Sequence, residues 1–174
     1  TRNGTDKMKQ SVENMGETNE TQTQPSYLSR VQIPQWGLIT YRSLIFPSHC
    51  DHIGHMNVRW YAHHFDEAGF QIWNVTEVRQ SEMRDRGLQV VVARTTIDYI
   101  KEMIAGTSIV VRGGFTRVGN KSVTHQAKMF NEDTGELCAT QETVEVFFDP
   151  LTRQSTEMPK DFNERLSALL VEID

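Results

Sequence analysis

Residues 49 to 73 read HCDHIGHMNVRWYAHHFDEAGFQIW, and how this stretch folds sets the architecture of the whole chain. From about His55 to Trp73, apolar Val58, Tyr61, Phe65, Ala68 and Ile72 recur at steps of three and four. That spacing predicts one long helix with a single apolar stripe. An acid, Asp51, stands three residues before Gly54, just ahead of the expected helix start. A carboxylate is thereby set beside the open N–H groups of a helix N-terminus, which favour an electron-rich oxygen. A base or nucleophile next to an oxyanion site is the minimum equipment for acyl transfer.

Strands surround this helix in the sequence. Gly37 to Phe46 reads as a first strand stopped by Pro47. After a polar connection or short second helix over Val75 to Asp85, closed by Gly87, four further strands are expected. They are Leu88 to Ile100, Thr107 to Val118, Lys121 to Asn131 and Glu136 to Phe148. Val, Ile and Thr enrichment marks the strands, and Gly119-Asn120, Asp133-Thr134-Gly135 and Asp149-Pro150 mark their ends. The short connections make the last three an antiparallel meander. Pro159 opens a final helix over about Lys160 to Val171, with Phe162, Leu166, Leu169 and Leu170 on one face. The expected fold is α+β: one long helix against a five-stranded antiparallel sheet, with a C-terminal helix. Such a layer leaves strand edges open, which predicts a homodimer.

Composition narrows the class. Residues 1–30 are rich in Thr, Asn, Gln, Glu and Lys, so they are expected to be a disordered polar tail, with one domain over 31–174. The tail lacks the apolar core of a secretory signal, and it is more acidic than a transit peptide. No run approaches the roughly 20 apolar residues of a membrane span. Two cysteines, Cys50 and Cys138, are too few for a disulfide framework and point to a reducing, cytoplasmic setting. A net charge of −5 argues against nucleic acid as a partner.

The pattern Asp51-x-x-Gly54-His55-x-Asn57-x-x-x-Tyr61 resembles the signature of hotdog-fold acyl-CoA thioesterases of the 4-hydroxybenzoyl-CoA thioesterase type. The likeness extends to Asp98-Tyr99-Ile100-Lys101, Gly106-Thr107, Gly135 and Glu142-Thr143-Val144, and it spans about Leu38 to Leu170. The chain departs from the family pattern at Val58, Gly69 and Met103. The resemblance implies a hotdog fold, with the sheet wrapped round the helix. It also implies hydrolysis of a coenzyme A thioester at sites between subunits of a dimer or tetramer, with no cofactor.

On that reading Asp51 attacks the thioester carbonyl or activates water, and its competing role is a helix cap. Backbone N–H groups of Gly54 and His55 would polarise the carbonyl, and Asn57 would orient Asp51 or a water. Trp60, Tyr61 and Phe65 would line the acyl pocket, although Tyr61 and the other aromatics also suit a core. Glu67 is a reserve catalytic acid, with a solvated acid as its simpler role. Among Arg94, Lys101, Arg112, Arg117 and Lys121, the pair Arg117 and Lys121 is favoured for the phosphates of coenzyme A. Gly69, costing roughly 1 kcal/mol relative to alanine within a helix, is expected where the helix lies close to the sheet.

Five of the six histidines fall between positions 49 and 64, leaving His125 apart. Their spacing lacks the paired pattern of a zinc module, so no metal is expected. Two rival readings stand. A hotdog hydratase or dehydratase commonly spaces its pair D-x-x-x-x-H, and Asp51 and His55 are one residue too close for that. A non-catalytic acyl- or acyl-carrier-binding module would keep the pocket without turnover.

Overall fold

In the computed structural model, residues 31–76 and 78–173 are described. The expected polar tail over 1–30 lies outside them. Strand β1 (Leu38–Leu44) leads through a 3-10 turn at Pro47–His49 to the long helix α1 (Val58–Val75). A short helix α2 (Gln80–Asp85) precedes β2 (Gln89–Tyr99), β3 (Ser108–Val118), β4 (Ser122–Asn131) and β5 (Leu137–Asp149). A two-residue strand β6 (Gln154–Ser155) and helix α3 (Lys160–Ser167) close the chain.

The sheet runs in the order β1-β3-β4-β5-β2, all antiparallel, and β6 pairs with the end of β5. The five expected strands and the meander are therefore present, curled around α1 in a hotdog arrangement; β6 is an addition. The β4–β5 turn is built as its residues suggest. Asn131 accepts through Oδ1 from the N–H groups of Asp133 and Thr134, at 2.9 and 3.3 Å. Gly135 takes a positive φ of 76° that other residues resist.

Helix α1 is sealed at both ends. Asn57 Oδ1 accepts from Arg59 N–H at 3.1 Å, capping the first turn. At the other end Thr76 Oγ1 donates to the Ile72 carbonyl at 2.7 Å. The buried stripe is Tyr61, His64, Phe65, Ala68, Ile72 and Trp73. Val58, expected on that stripe, is 57% exposed because it sits at the first helical position, beyond the reach of the sheet.

One apolar cluster lies under the first half of α1, around Tyr61, Phe65, Ile109 and Met129. A second lies under its end, where Trp73 meets Phe115, Phe147 and, from α3, Phe162 and Leu166. Two bidentate pairs, Arg86–Asp161 and Arg165–Glu82, clamp α3 to α2, with both guanidinium groups over the Phe162 ring. Arg86 donates to the Asp161 carboxylate and pulls its pKa down to about 2. Helix α3 is shorter than expected: Leu169 and Leu170 are exposed, and Val171 instead donates to the Phe115 carbonyl along the edge of β3. No described helix is long and apolar enough to cross a membrane.

Candidate active site

The loop carrying Asp51 is a tight hairpin ahead of α1. Cys50 and Met56 form a β-bridge, Asp51 N–H donates to the His55 carbonyl at 2.9 Å, and Gly54 N–H donates to the Asp51 carbonyl at 3.1 Å. Gly54 turns the chain with φ of 87°, and open space faces the position where a Cβ would stand. Its glycine requirement is thus set by the backbone and not by crowding.

The helix begins three residues later than expected from its periodicity. Met56 N–H is drawn to the Met103 carbonyl and Asn57 N–H to that of His49, so these residues pair laterally before the first helical turn. Two of the expected site residues make hydrogen bonds of their own here. Gly54 N–H, expected to polarise the carbonyl, donates within the turn to the Asp51 carbonyl. Asn57, expected to orient Asp51 or a water, caps the helix through its Oδ1. Conversely, Asp51 is not that cap. Its Oδ1 accepts from Ile53 N–H at 3.0 Å, and its Oδ2 has no partner among the described residues. The N–H groups of His55 and Val58 also lack acceptors among the described residues. The His55 ring faces Glu102, Nδ1 to Oε2 at 3.3 Å.

Behind this loop the histidines form an aromatic stack. His49 lies on Trp60 with ring centroids 3.9 Å apart, and His64 stands 5.5 Å from both His49 and His63. His64 is 1% exposed, and among the described residues neither of its ring nitrogens has a hydrogen-bond partner; the same holds for Trp60 Nε1. Burial first, then the neighbouring His49 and His63, pushes the His64 pKa down to about 4. Among the described residues, no three His, Cys, Asp or Glu side chains are grouped to hold a metal ion.

The expected pocket residues divide. Tyr61 belongs to the core: it is 4% exposed, its hydroxyl donates to the Lys101 carbonyl at 3.2 Å, and burial pushes its pKa up to about 12. Trp60 is half-buried in the histidine stack. Phe65 is fully buried and lies on the wall of a cavity of about 490 Å³, between α1, β2 and the inner faces of β4 and β5. The helix acid at this cavity is Asp66, while Glu67 is exposed and not among its lining residues. One residue is 100° of helix rotation, which periodicity alone could not resolve for adjacent acids.

Four further lining residues escaped the sequence reading: His125, Gln141, Thr143 and Glu145. The only signal for them was the isolated position of His125. Gly69 also lines the cavity, where an added Cβ would meet only His125 Cε1, at 4.0 Å. Glycine there is not demanded by close packing on the sheet; it leaves the space open.

Of the basic candidates, Arg94 is paired with Glu142 at 2.8 Å and Lys101 with Glu136. Arg112 is buried, donating to the Trp36 and Gly37 carbonyls at 2.7 and 2.8 Å. Arg117 and Lys121 flank the β3–β4 turn, exposed and without a carboxylate partner among the described residues. They lie at the opposite end of β3 from the Asp51 loop.

Over residues 46–166 the sequence matches the family described as the thioesterase-like superfamily. A Staphylococcus aureus protein in complex with CoA superposes with a TM-score of 0.71 at 18% identity, covering 83% of this chain and 91% of that one. A 1,4-dihydroxy-2-naphthoyl-CoA thioesterase from Synechocystis gives 0.66 at 14% identity, covering 75% and 96%. A probable thioesterase from Escherichia coli gives 0.65 at 19%, covering 76% and 98%. No curated protein matches by sequence. At such identities the structural likeness establishes the hotdog fold, while the family match extends over well more than half of the sequence. The chain belongs to the thioesterase-like superfamily.

Proposed function

We propose that the protein hydrolyses acyl-CoA thioesters, with Asp51 as nucleophile or general base. The observation that carries this reading is the half-buried Asp51 carboxylate, one oxygen uncommitted, in the turn that leads into the helix start where the N–H groups of His55 and Val58 are open. A thiolate leaves readily, its conjugate acid having a pKa near 8.5, so a strong general acid is dispensable. What remains is an attacking oxygen and donors for the developing oxyanion. Family membership and the CoA bound by the Staphylococcus aureus neighbour support the substrate class.

Direct acyl-CoA assays with detection of the free thiol test the proposal. Turnover of at least one thioester is expected, and it should persist after dialysis against a chelator, because the chemistry needs no metal. Failure to release thiol from any chain length sinks the proposal; loss of activity on chelation sinks its metal-free mechanism.

The working unit is proposed to be at least a dimer. Strand β2 is an eleven-residue edge strand whose Val91, Val92 and Tyr99 are 40%, 56% and 51% exposed. Such an edge is a template for pairing with another chain. A second copy would also be needed to bring Arg117 and Lys121 to the phosphates of a CoA bound at Asp51. Arg117 lies eight residues along β3 from Ile109, roughly 27 Å of extended strand. Light scattering should therefore report a dimer or larger, with the same stoichiometry in a chain beginning near Val31. A fully active monomer removes the shared-site claim and leaves Asp51 untouched.

A further inference from the structure

Strand β5 turns an uncommon face toward α1. Its inward positions are Ala139, Gln141, Thr143, Glu145 and Phe147, all buried, so three consecutive inward side chains are polar where a core strand is ordinarily apolar. Across the ladder His125 stands opposite Thr143, and Thr95 of β2 brings its Oγ1 to 3.4 Å from that of Thr143. Burying such groups is costly unless they are satisfied, and here they are satisfied only in part. Glu145 accepts from Trp73 Nε1–H at 2.8 Å through Oε2. Its Oε1 is 3.8 Å from His125 Nε2, beyond hydrogen-bond reach. His125 is 3% exposed, and its Nε2 has no hydrogen-bond partner among the described residues.

These groups form the floor of the 490 Å³ cavity, roofed by the gap that Gly69 leaves in α1. Phe65, Phe70, Leu88, Val90 and Val92 wall it with apolar surface. A cavity with one apolar wall and convergent polar atoms on its floor is built for a ligand of matching pattern. Strand β2 runs antiparallel to α1 along this space: Tyr99 touches Tyr61 near the start of the helix, and Val92 and Thr95 border the cavity. From Asn57 to Gly69 is twelve residues, roughly 18 Å of helix.

We propose that this cavity receives the far end of the acyl chain, and that His125 and Glu145 together bind a hydroxyl group there. The proposal rests on the thioesterase reading for the identity of the chain, but not for the chemistry of the cavity. A hydroxyl both donates and accepts, so with the proton of His125 on Nε2 it accepts from that N–H and donates to Glu145 Oε1. A methyl end leaves both atoms unsatisfied, and a carboxylate placed against His125 meets the Glu145 carboxylate, with Arg84 elsewhere on the lining as the cation that would draw it away from that floor. Given the helix length between loop and cavity, the preferred hydroxyl is distal, on a chain of about ten carbons or more.

The test compares ω-hydroxyacyl-CoAs with the parent acyl-CoAs at matched chain lengths. Wild type should favour the hydroxylated member by about 10-fold or more in kcat/KM, the scale of one buried hydrogen-bonded pair. His125→Leu should erase that preference while still hydrolysing the parent. Gly69→Leu, which fills the roof without removing a polar group, should spare short acyl-CoAs and lose long ones. Equal treatment of both members by wild type, a preference retained in His125→Leu, or unchanged long-chain turnover in Gly69→Leu each overturns the proposal. Calorimetric titration with free ω-hydroxy acids and parent acids separates it from the thioesterase reading. Tighter binding of the hydroxy acid, lost in His125→Leu, supports the cavity assignment even if no thioester is cleaved; equal or absent binding overturns it.

Discussion

Asp51→Asn is expected to lower kcat by about 10²-fold or more, the usual cost of a lost base or nucleophile, with little change in melting temperature. The stability expectation follows from the geometry. Asp51 Oδ1 accepts one N–H, from Ile53, and an asparagine carbonyl oxygen accepts that bond equally well. The helix does not depend on it, because Asn57 is the cap. What asparagine cannot do is attack the carbonyl as an anion or take a proton from water. Steady-state rates with the best thioester, beside a thermal melt, decide the point. Near-normal turnover by Asp51→Asn, together with an inactive Asp66→Asn, would move the chemistry to the acid that α1 turns toward the cavity.

Acid should destabilise the fold through His64. Its pKa is about 4 in the folded chain against 6.5 for a free histidine, so the folded state resists a proton that the unfolded state accepts. The contribution to stability is complete above pH 6.5 and is lost as the pH falls toward about 4. The full span corresponds to about 3 kcal/mol, since each pKa unit is worth about 1.4 kcal/mol. His49, whose pKa is also lowered, adds in the same direction. Urea unfolding at a series of pH values measures the slope. In His64→Leu the slope over this window should flatten markedly. Stability at neutral pH should hold, because the substitution removes two buried nitrogens that have no partner among the described residues. An unchanged slope in the variant would place the acid sensitivity elsewhere.

Much of the architecture could be read directly from residue order. The helical stripe of Tyr61, Phe65, Ala68 and Ile72 is a local property of spacing, and all four residues are buried where that spacing puts them. The strand boundaries at Gly119-Asn120 and at Asn131 to Gly135 are set by turn residues whose backbone preferences act within four or five positions. What depended on distant partners was not legible in this way. The start of α1 moved to Val58 because Met56 and Asn57 are claimed by Met103 and His49, and periodicity carries no record of such lateral pairing. Arg112 reads as a surface cation, yet its register opposite Ile39 brings it to the Trp36 and Gly37 carbonyls. On β5 the segment Thr140 to Thr143 is polar at both phases of its alternation, and beyond it Val144 and Val146 fall on the phase opposite to Glu145, so the local pattern does not say that Gln141, Thr143 and Glu145 turn inward. Pairing with β4 and β2 decides it, because a shift of one residue exchanges the faces of a strand. That register is what assembles Gln141, Thr143 and Glu145 with His125 under Gly69, a juxtaposition of side chains from two strands and a helix that only tertiary folding could create.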